Sequence, residues 1–535
     1  MSVARRSAIA LVALLLVNAA VVAALLSSGP SGQWTIRTTE LRDEPDASGD
    51  LTDLPSASEI FRIQGEIQRD ARRADPTGKA GAGGRAVAYR AGGRAIRSSS
   101  VAAHAPEARL FRTGYLGLEP TLGVNRDGWV FIQAAAQNAV FFETRVLRSH
   151  NGGRAWVDIS PRLLGGIYQR VYTEDPYLFL DQTTGRLFTD DLILPCQLLS
   201  YTDNGGVSWA THPVACEITD HQTIFAGPAP AGGAKPSGYP NVIYDCAIGI
   251  GVASPTSLGT SCVKSLDGGA TFTLTGAPAY GPNPGAEDGT AGVPGVCDGA
   301  TGHGFVGSDG TVYLPRGWCG QPYVAISKDE GASWTRVQVA NNGFNAGGDG
   351  DTGWDHEASV VADRAGNLYY LWIAHDYRPY LALSHDGGKT WSKPMMIAPP
   401  GVTQAALPAL AIGPKRTPGR IAFVFMGSTN APRDPYPRDE DRYAGVRWNA
   451  YMGLSVDALR ADPIFYAAAV NDPRDALVEG ACGPVRCHAE YDFIDVQVGF
   501  DGTPWAVMVD ACFDGRCSPL GEDIVGRLVG GPSLR

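Results

Sequence analysis

A chain of 535 residues with 44% apolar and 9% aromatic side chains carries ample material for a large core, which excludes wholesale disorder. Its 67 glycines and 37 prolines favour many turns over long helices. With 44 basic against 55 acidic residues the net charge is −11, which excludes a nucleic-acid binder working by bulk electrostatics.

Arg5 and Arg6 precede an uncharged run, Ala8 to Leu26, in which Asn18 is the one polar residue. Residues 1–26 are therefore predicted to be a signal peptide or an uncleaved signal-anchor helix, with the arginines on the cytoplasmic side. The rest of the chain is expected to be secreted or extracytoplasmic, held at the membrane if the helix is retained. Residues 27–110 read as a leader. Ile60, Ile63, Ile67 and Ala71 recur at helical spacing and predict one amphipathic helix over 56–74. Pro76 to Ala105 is rich in Gly and Ala and has no acidic residue, the composition of a largely disordered linker.

Ten cysteines in an exported chain predict disulfides in place of metal or redox sites, and no CxxC pair is present. Pairing sequence neighbours gives Cys196–Cys216, Cys246–Cys262, Cys297–Cys319, Cys482–Cys487 and Cys512–Cys517. Cys482 and Cys487 crossing to Cys512 and Cys517 is the alternative.

From 111 to 535 the chain is repetitive. One eight-residue pattern recurs five times, at Ser149–Trp156, Thr202–Trp209, Ser265–Phe272, Ser327–Trp334 and Ser384–Trp391. Asp or Asn at its third position accepts backbone N–H bonds, Gly supplies positive φ, and the closing aromatic buries itself where the next strand begins. The closing aromatics lie 53, 63, 62 and 57 residues apart, enough for one four-stranded sheet per unit. The pattern resembles the Asp-box (BNR) repeat of the sialidase superfamily. That resemblance implies an all-β fold, a β-propeller of four-stranded antiparallel blades, with the boxes as folding elements at outer hairpins.

A second element recurs seven times: a short apolar strand, often ending at an Asp-Gly type of turn. The seven begin at Pro120, Pro176, Gln222, Gly304, Ala358, Pro408 and Val496. They predict seven blades, or six if the final segment only completes an earlier blade. The residues just before these strands are Glu119, Asp175, His221, His303, Glu357, Leu407 and Asp495. Because first strands of propeller blades line the axis, these residues are expected to ring one channel mouth. Glu119, Asp175, Glu357 and Asp495 are the candidate acid–base residues, and all six ionisable positions are candidate ligand contacts. His221 and His303 are the candidate metal ligands, for Zn²⁺ or Mn²⁺, with Ca²⁺ suited to the oxygen donors. His356 is a third imidazole, but strand alternation turns it the other way. Tyr377 and Arg378 offer stacking and a cation to a ligand, and Asp434 to Arg442 forms a loop able to overhang the mouth.

Sialidases grip their substrate carboxylate with three arginines, the first in an Arg-Ile-Pro motif. The nearest counterpart here, Arg62-Ile63-Gln64, lacks the proline and lies in the leader. No aligned opening carries an arginine, and the ring is acidic where an anionic sugar needs cations. The expected function is therefore an exported propeller that binds, and as an enzyme hydrolyses, a glycan or envelope polysaccharide other than by true exo-sialidase action. Two alternatives stand beside it: a noncatalytic propeller docking a protein partner at the envelope, and a metal-dependent lyase or hydrolase using the channel histidines.

Overall fold

The computed structural model describes residues 81–535 except 138–141, 164–168, 174, 194–195, 217–218, 250–258, 282–300, 344–356, 433–442, 481–493 and 514–515. The signal segment, the helix expected over 56–74, Cys297, Cys482, Cys487, His356 and the loop 434–442 lie outside the described residues.

The fold is all-β and of the propeller type, built from antiparallel sheets whose unit is four strands, with one short helix at Ser99–Ala103 among the described residues. No helix among them is long and apolar enough to cross a membrane. Four separate four-stranded sheets begin with Pro176–Leu180, Thr219–Gly227, Phe305–Val306 and Ser359–Ala362. A larger sheet begins with Gln404–Ile412, and the largest contains Asp495–Val498 and the 18-residue strand Glu107–Val124. Because sheets stack face to face, interior strands are buried on both faces and lose the alternation of a half-exposed strand. Leu368–Ile373 is buried at every position.

The long strand does two jobs. Its first half pairs with Arg516–Val529, while its second half, from Leu118, pairs with Val130–Gln137. Each first strand also packs against the first strand of the next sheet. The series runs from Glu107–Val124 through Pro176–Leu180, Thr219–Gly227, Phe305–Val306, Ser359–Ala362, Gln404–Ile412 and Asp495–Val498, and returns to Glu107–Val124.

The leader departs from expectation. Gly81–Arg85 pairs with the start of the long strand, and Val87–Arg90 adds to the edge strand Phe465–Ala469. The β-structure therefore begins at 81, ahead of the boundary at 111 set by the repeats. Low hydrophobicity argued for disorder, but an open sheet edge needs only backbone groups to pair with. Tyr89 then anchors the addition: it is fully buried, stacks near Phe465 and donates its hydroxyl proton to the Ile397 carbonyl at 2.6 Å.

The boxes fold as the turn chemistry requires, between third and fourth strands. In the fifth copy Ser384 Oγ donates to Asp386 Oδ1 at 2.8 Å and accepts from Gly388 N at 2.9 Å. Asp386 accepts further bonds from Lys389 N, Thr390 N and Thr390 Oγ1, which hold its carboxyl well below the usual range. A reduced sixth box escaped the sequence pattern. At the end of Arg447–Ser455, Ser455 Oγ still donates to Asp457 Oδ1, although the glycines and aromatic are gone. The disulfides Cys196–Cys216, Cys246–Cys262 and Cys512–Cys517 form as expected, and Cys319 is also disulfide-bonded.

The two box glycines at 387 and 388 separate conformation from packing. Both have positive φ, 73° and 89°. A Cβ on Gly387 would meet only Tyr313 Oη at 3.9 Å, whereas one on Gly388 would strike Ile326 Cδ1 of the preceding sheet at 2.6 Å. Gly387→Ala should cost about 1–2 kcal/mol from conformation alone. Gly388→Ala should cost roughly 2–4 kcal/mol, because overpacking is added. Denaturant unfolding of both variants tests the difference; equal losses would show that the box does not set inter-sheet spacing.

Candidate functional site

Three of the seven aligned openings share one unusual backbone. Glu119, His221 and Leu407 have φ of 51°, 48° and 51°, and each sits where the pairing of its strand slips by a β-bulge. A bulge bends the strand and re-aims the side chain at that position. The repetition at Leu407, which has no polar group, makes this conformation a property of the architecture. Asp175, His303, Glu357 and Asp495 occupy the corresponding starts of the other sheets' first strands.

The ring is dry. Glu119, His221, Glu357 and Asp495 are buried, as is Leu407, and the His303 side chain is 13% exposed. Glu357 is the hub. Its Oε1 lies 3.1 Å from His221 Nδ1 and its Oε2 lies 3.2 Å from His303 Nε2. His303 Nδ1 in turn meets the Tyr177 hydroxyl at 2.5 Å. Asp175 supports His221 from below by accepting from its backbone N–H at 3.3 Å. Asp495 accepts from Leu122 N at 3.1 Å and from Val496 N at 2.7 Å, which ties the last sheet to the first.

Tyr177 is the participant the sequence reading missed. It stands two residues after Asp175, so the period of two that aimed Asp175 also covers Tyr177. Tyr377 lies buried in a turn at φ 57°, and its carbonyl accepts from Ala405 N beside the Leu407 bulge. Arg378 is in the same turn, its backbone N–H bonded to Asp376 Oδ1.

The electrostatics give the groups different protonation. Burial pushes His303 below its ordinary value, against the pull of Glu357. Burial pushes Asp495 up to about 7, against the two backbone donors. Tyr177 is raised well above 10 by burial and then by the negative charges of Asp495 and Glu357. With His303 neutral, its Nδ1 accepts from the Tyr177 hydroxyl, while its Nε2 lies 3.2 Å from Glu357 Oε2 without hydrogen-bond geometry; His221 Nδ1 makes the hydrogen bond to Glu357 Oε1. Glu357 thus lies between two imidazoles, one of which also bonds a tyrosine. Asp495, also at the ring, keeps a proton up to about pH 7 that it can give to a ligand. Among the described residues no set of three or more His, Cys, Asp or Glu is arranged to hold a metal ion. His221 Nδ1 and His303 Nε2 lie 3.1 and 3.2 Å from the two Glu357 oxygens.

The BNR/Asp-box repeat family model matches residues 382–393, which spans the fifth box. The chain carries the repeat that defines this class of sialidase-like propellers. No curated protein matches its sequence. Among solved structures it is similar to a leech intramolecular trans-sialidase, with 15% identity, 78% of this chain and 68% of that chain covered, and a TM-score of 0.37. It is similar to the NanB sialidase of Streptococcus pneumoniae, with 13% identity, 81% and 73% covered, and a TM-score of 0.38. The α-L-arabinofuranosidase of Fusarium graminearum is a third, with 11% identity, 72% and 98% covered, and a TM-score of 0.36.

The proton arrangement has a spectroscopic signature. Long-range ¹⁵N NMR of imidazole-labelled protein should find His303 neutral at pH 7, as the Nε2–H tautomer. Glu357→Gln should lower its pKa further, because the one charge favouring imidazolium is gone. An imidazolium at pH 7 would overturn the assignment.

Proposed function

We propose that this chain is an exported, seven-bladed Asp-box propeller that binds a neutral glycan over the ring of first strands and hydrolyses a glycosidic bond there. The observation that carries the reading is the buried cluster of Tyr177, His303, Glu357 and His221, with Asp495 at the equivalent opening of another first strand. The cyclic series of first strands supports the count of seven.

Glycoside hydrolysis needs one carboxyl that still holds a proton at working pH and one carboxylate that does not. Asp495, raised to about 7, is the proton donor to the departing oxygen. Glu357, hydrogen-bonded by His221 and 3.2 Å from His303 Nε2, faces the sugar as the second acidic group, and Tyr177 positions His303. The aligned ring positions carry no arginine, so an anionic sugar would meet carboxylates without compensation. A neutral substrate fits that field.

A glycan array followed by turnover of aryl glycosides tests the reading. The rate should fall as pH rises through about 7, because Asp495 then loses the proton it must donate. Asp495→Asn should remove that limb and lower kcat by about 10²–10⁴-fold, while binding on the array persists. Binding to no glycan, or a rate indifferent to both Asp495→Asn and Glu357→Gln, would overturn it.

A further inference from the structure

A cavity of about 240 Å³ lies between the sheet that begins with Pro176–Leu180 and the sheet that begins with Thr219–Gly227. A single water needs only about 10–15 Å³ of such space, while small-molecule sites start near 300 Å³. The cavity is therefore suited to one small ring. Its lining combines groups that a dry packing defect would not collect. Gln197 Nε2 and Thr219 Oγ1 are buried there without a hydrogen-bond partner in the protein, and the Asp245 carboxyl is buried there beside that of Asp190. These residues are 2%, 7% and 2% exposed.

Apart from Ser261 the remaining wall is apolar, and it includes Phe272 and the exposed Leu274. Leu274 is 68% exposed, one of the few large apolar side chains so presented. No Lys or Arg lines the space.

We infer that this inter-sheet cavity is a second ligand site, separate from the axial ring, for a neutral hydroxylated ring the size of one sugar unit. Hydroxyl groups both donate and accept, so neighbouring ones satisfy the Asp245 acceptors and the Gln197 donor together. A bare cation would leave the Gln197 amide facing like charge, and an anionic ring would face Asp245. The carbon face of a sugar ring packs on Phe272 and Leu274. The Asp245 carboxyl also meets that of Asp190 across the interface, and burial raises both, so a proton shared by the pair limits its charge. A neutral ligand suits a pair in that state.

The test uses the full chain and saturation-transfer NMR with titration of methyl glycosides of glucose, galactose, mannose and arabinose. Methylamine and methyl glucuronide are included as cationic and anionic probes. At least one neutral glycoside should bind with Kd on the order of 1 mM. Gln197→Leu and Leu274→Arg should each weaken it about tenfold or more, while Glu357→Gln, which disables the axial cluster, leaves it within about twofold. Leu274 is exposed, so its variant does not depend on core repacking for folding. Preferential binding of methylamine or methyl glucuronide would overturn the inference. So would the absence of any binding, or binding lost in Glu357→Gln and kept in Leu274→Arg, which would assign it to the axial ring alone.

Discussion

Everything in this molecule depends on one strand belonging to two sheets. Glu107–Val124 is the fourth layer beside Arg516–Val529 and, after Leu118, the first layer beside Val130–Gln137. That sharing joins residues about 400 positions apart by backbone hydrogen bonds, which side-chain substitution cannot remove. Arg112 secures the overlap. Its two terminal nitrogens reach Glu522 Oε2 and Asp510 Oδ2, each at 2.6 Å, and Gly114 N donates to the other Glu522 oxygen at 2.7 Å. Burial opposes the charge on Arg112, but Asp510 and Glu522 outweigh it and hold the guanidinium protonated. A buried pair of this kind contributes little over an apolar isostere, yet breaking it strands a charge, so it enforces register at the closure.

Closure explains why the candidate site has the chemistry it has. First strands brought round one axis place their opening residues together, and stacked sheets exclude water from between them. Carboxyls buried there are raised: Asp495 to about 7 at the ring, and Asp191 to about 8 between the first two sheets despite its bonds to neighbouring hydroxyls and Gln133. Desolvation dominates because few cations enter these interfaces, and a carboxyl then keeps its proton more cheaply than its charge. A carboxyl that stays protonated near neutral pH therefore arises from the architecture, without a special neighbour.

Much of this was legible in the sequence, for identifiable reasons. Box turns are local: Ser384, Asp386 and Gly388 make their bonds within five residues, so a short pattern reports them. The ring positions were legible because each first strand begins at an equivalent point, and counting from the turns found them. Two features were hidden. Tyr177 joins His303, 126 residues away, and nothing local distinguishes it from a core tyrosine. The strands at 81–95 are set by sheet edges created hundreds of residues later, where composition alone argued for disorder. The reduced box at Ser455 and Asp457 lies between these cases: the bonding pair survives, but the glycines that made the pattern visible do not.

The three bulged positions separate scaffold from chemistry. Glu119, His221 and Leu407 hold the same left-handed conformation, which non-glycine residues adopt only where surrounding structure fixes it. If that strain existed for catalysis, Leu407 would have no reason to share it. It is instead the bend by which a first strand turns into the ring, and a side chain there is aimed inward whatever its type. Function then resides in which positions carry ionisable groups and in how those groups meet. Of the seven, His221, His303 and Glu357 come from three consecutive sheets, and both imidazoles approach Glu357, His221 by a hydrogen bond and His303 Nε2 to 3.2 Å. Asp495 is held apart from them by Leu122 N and Val496 N and acts on Tyr177 only through its charge. The ring thus repeats one bend at three of its seven positions while its ionisable groups are clustered unevenly, so the scaffold's near-repetition does not extend to its chemistry.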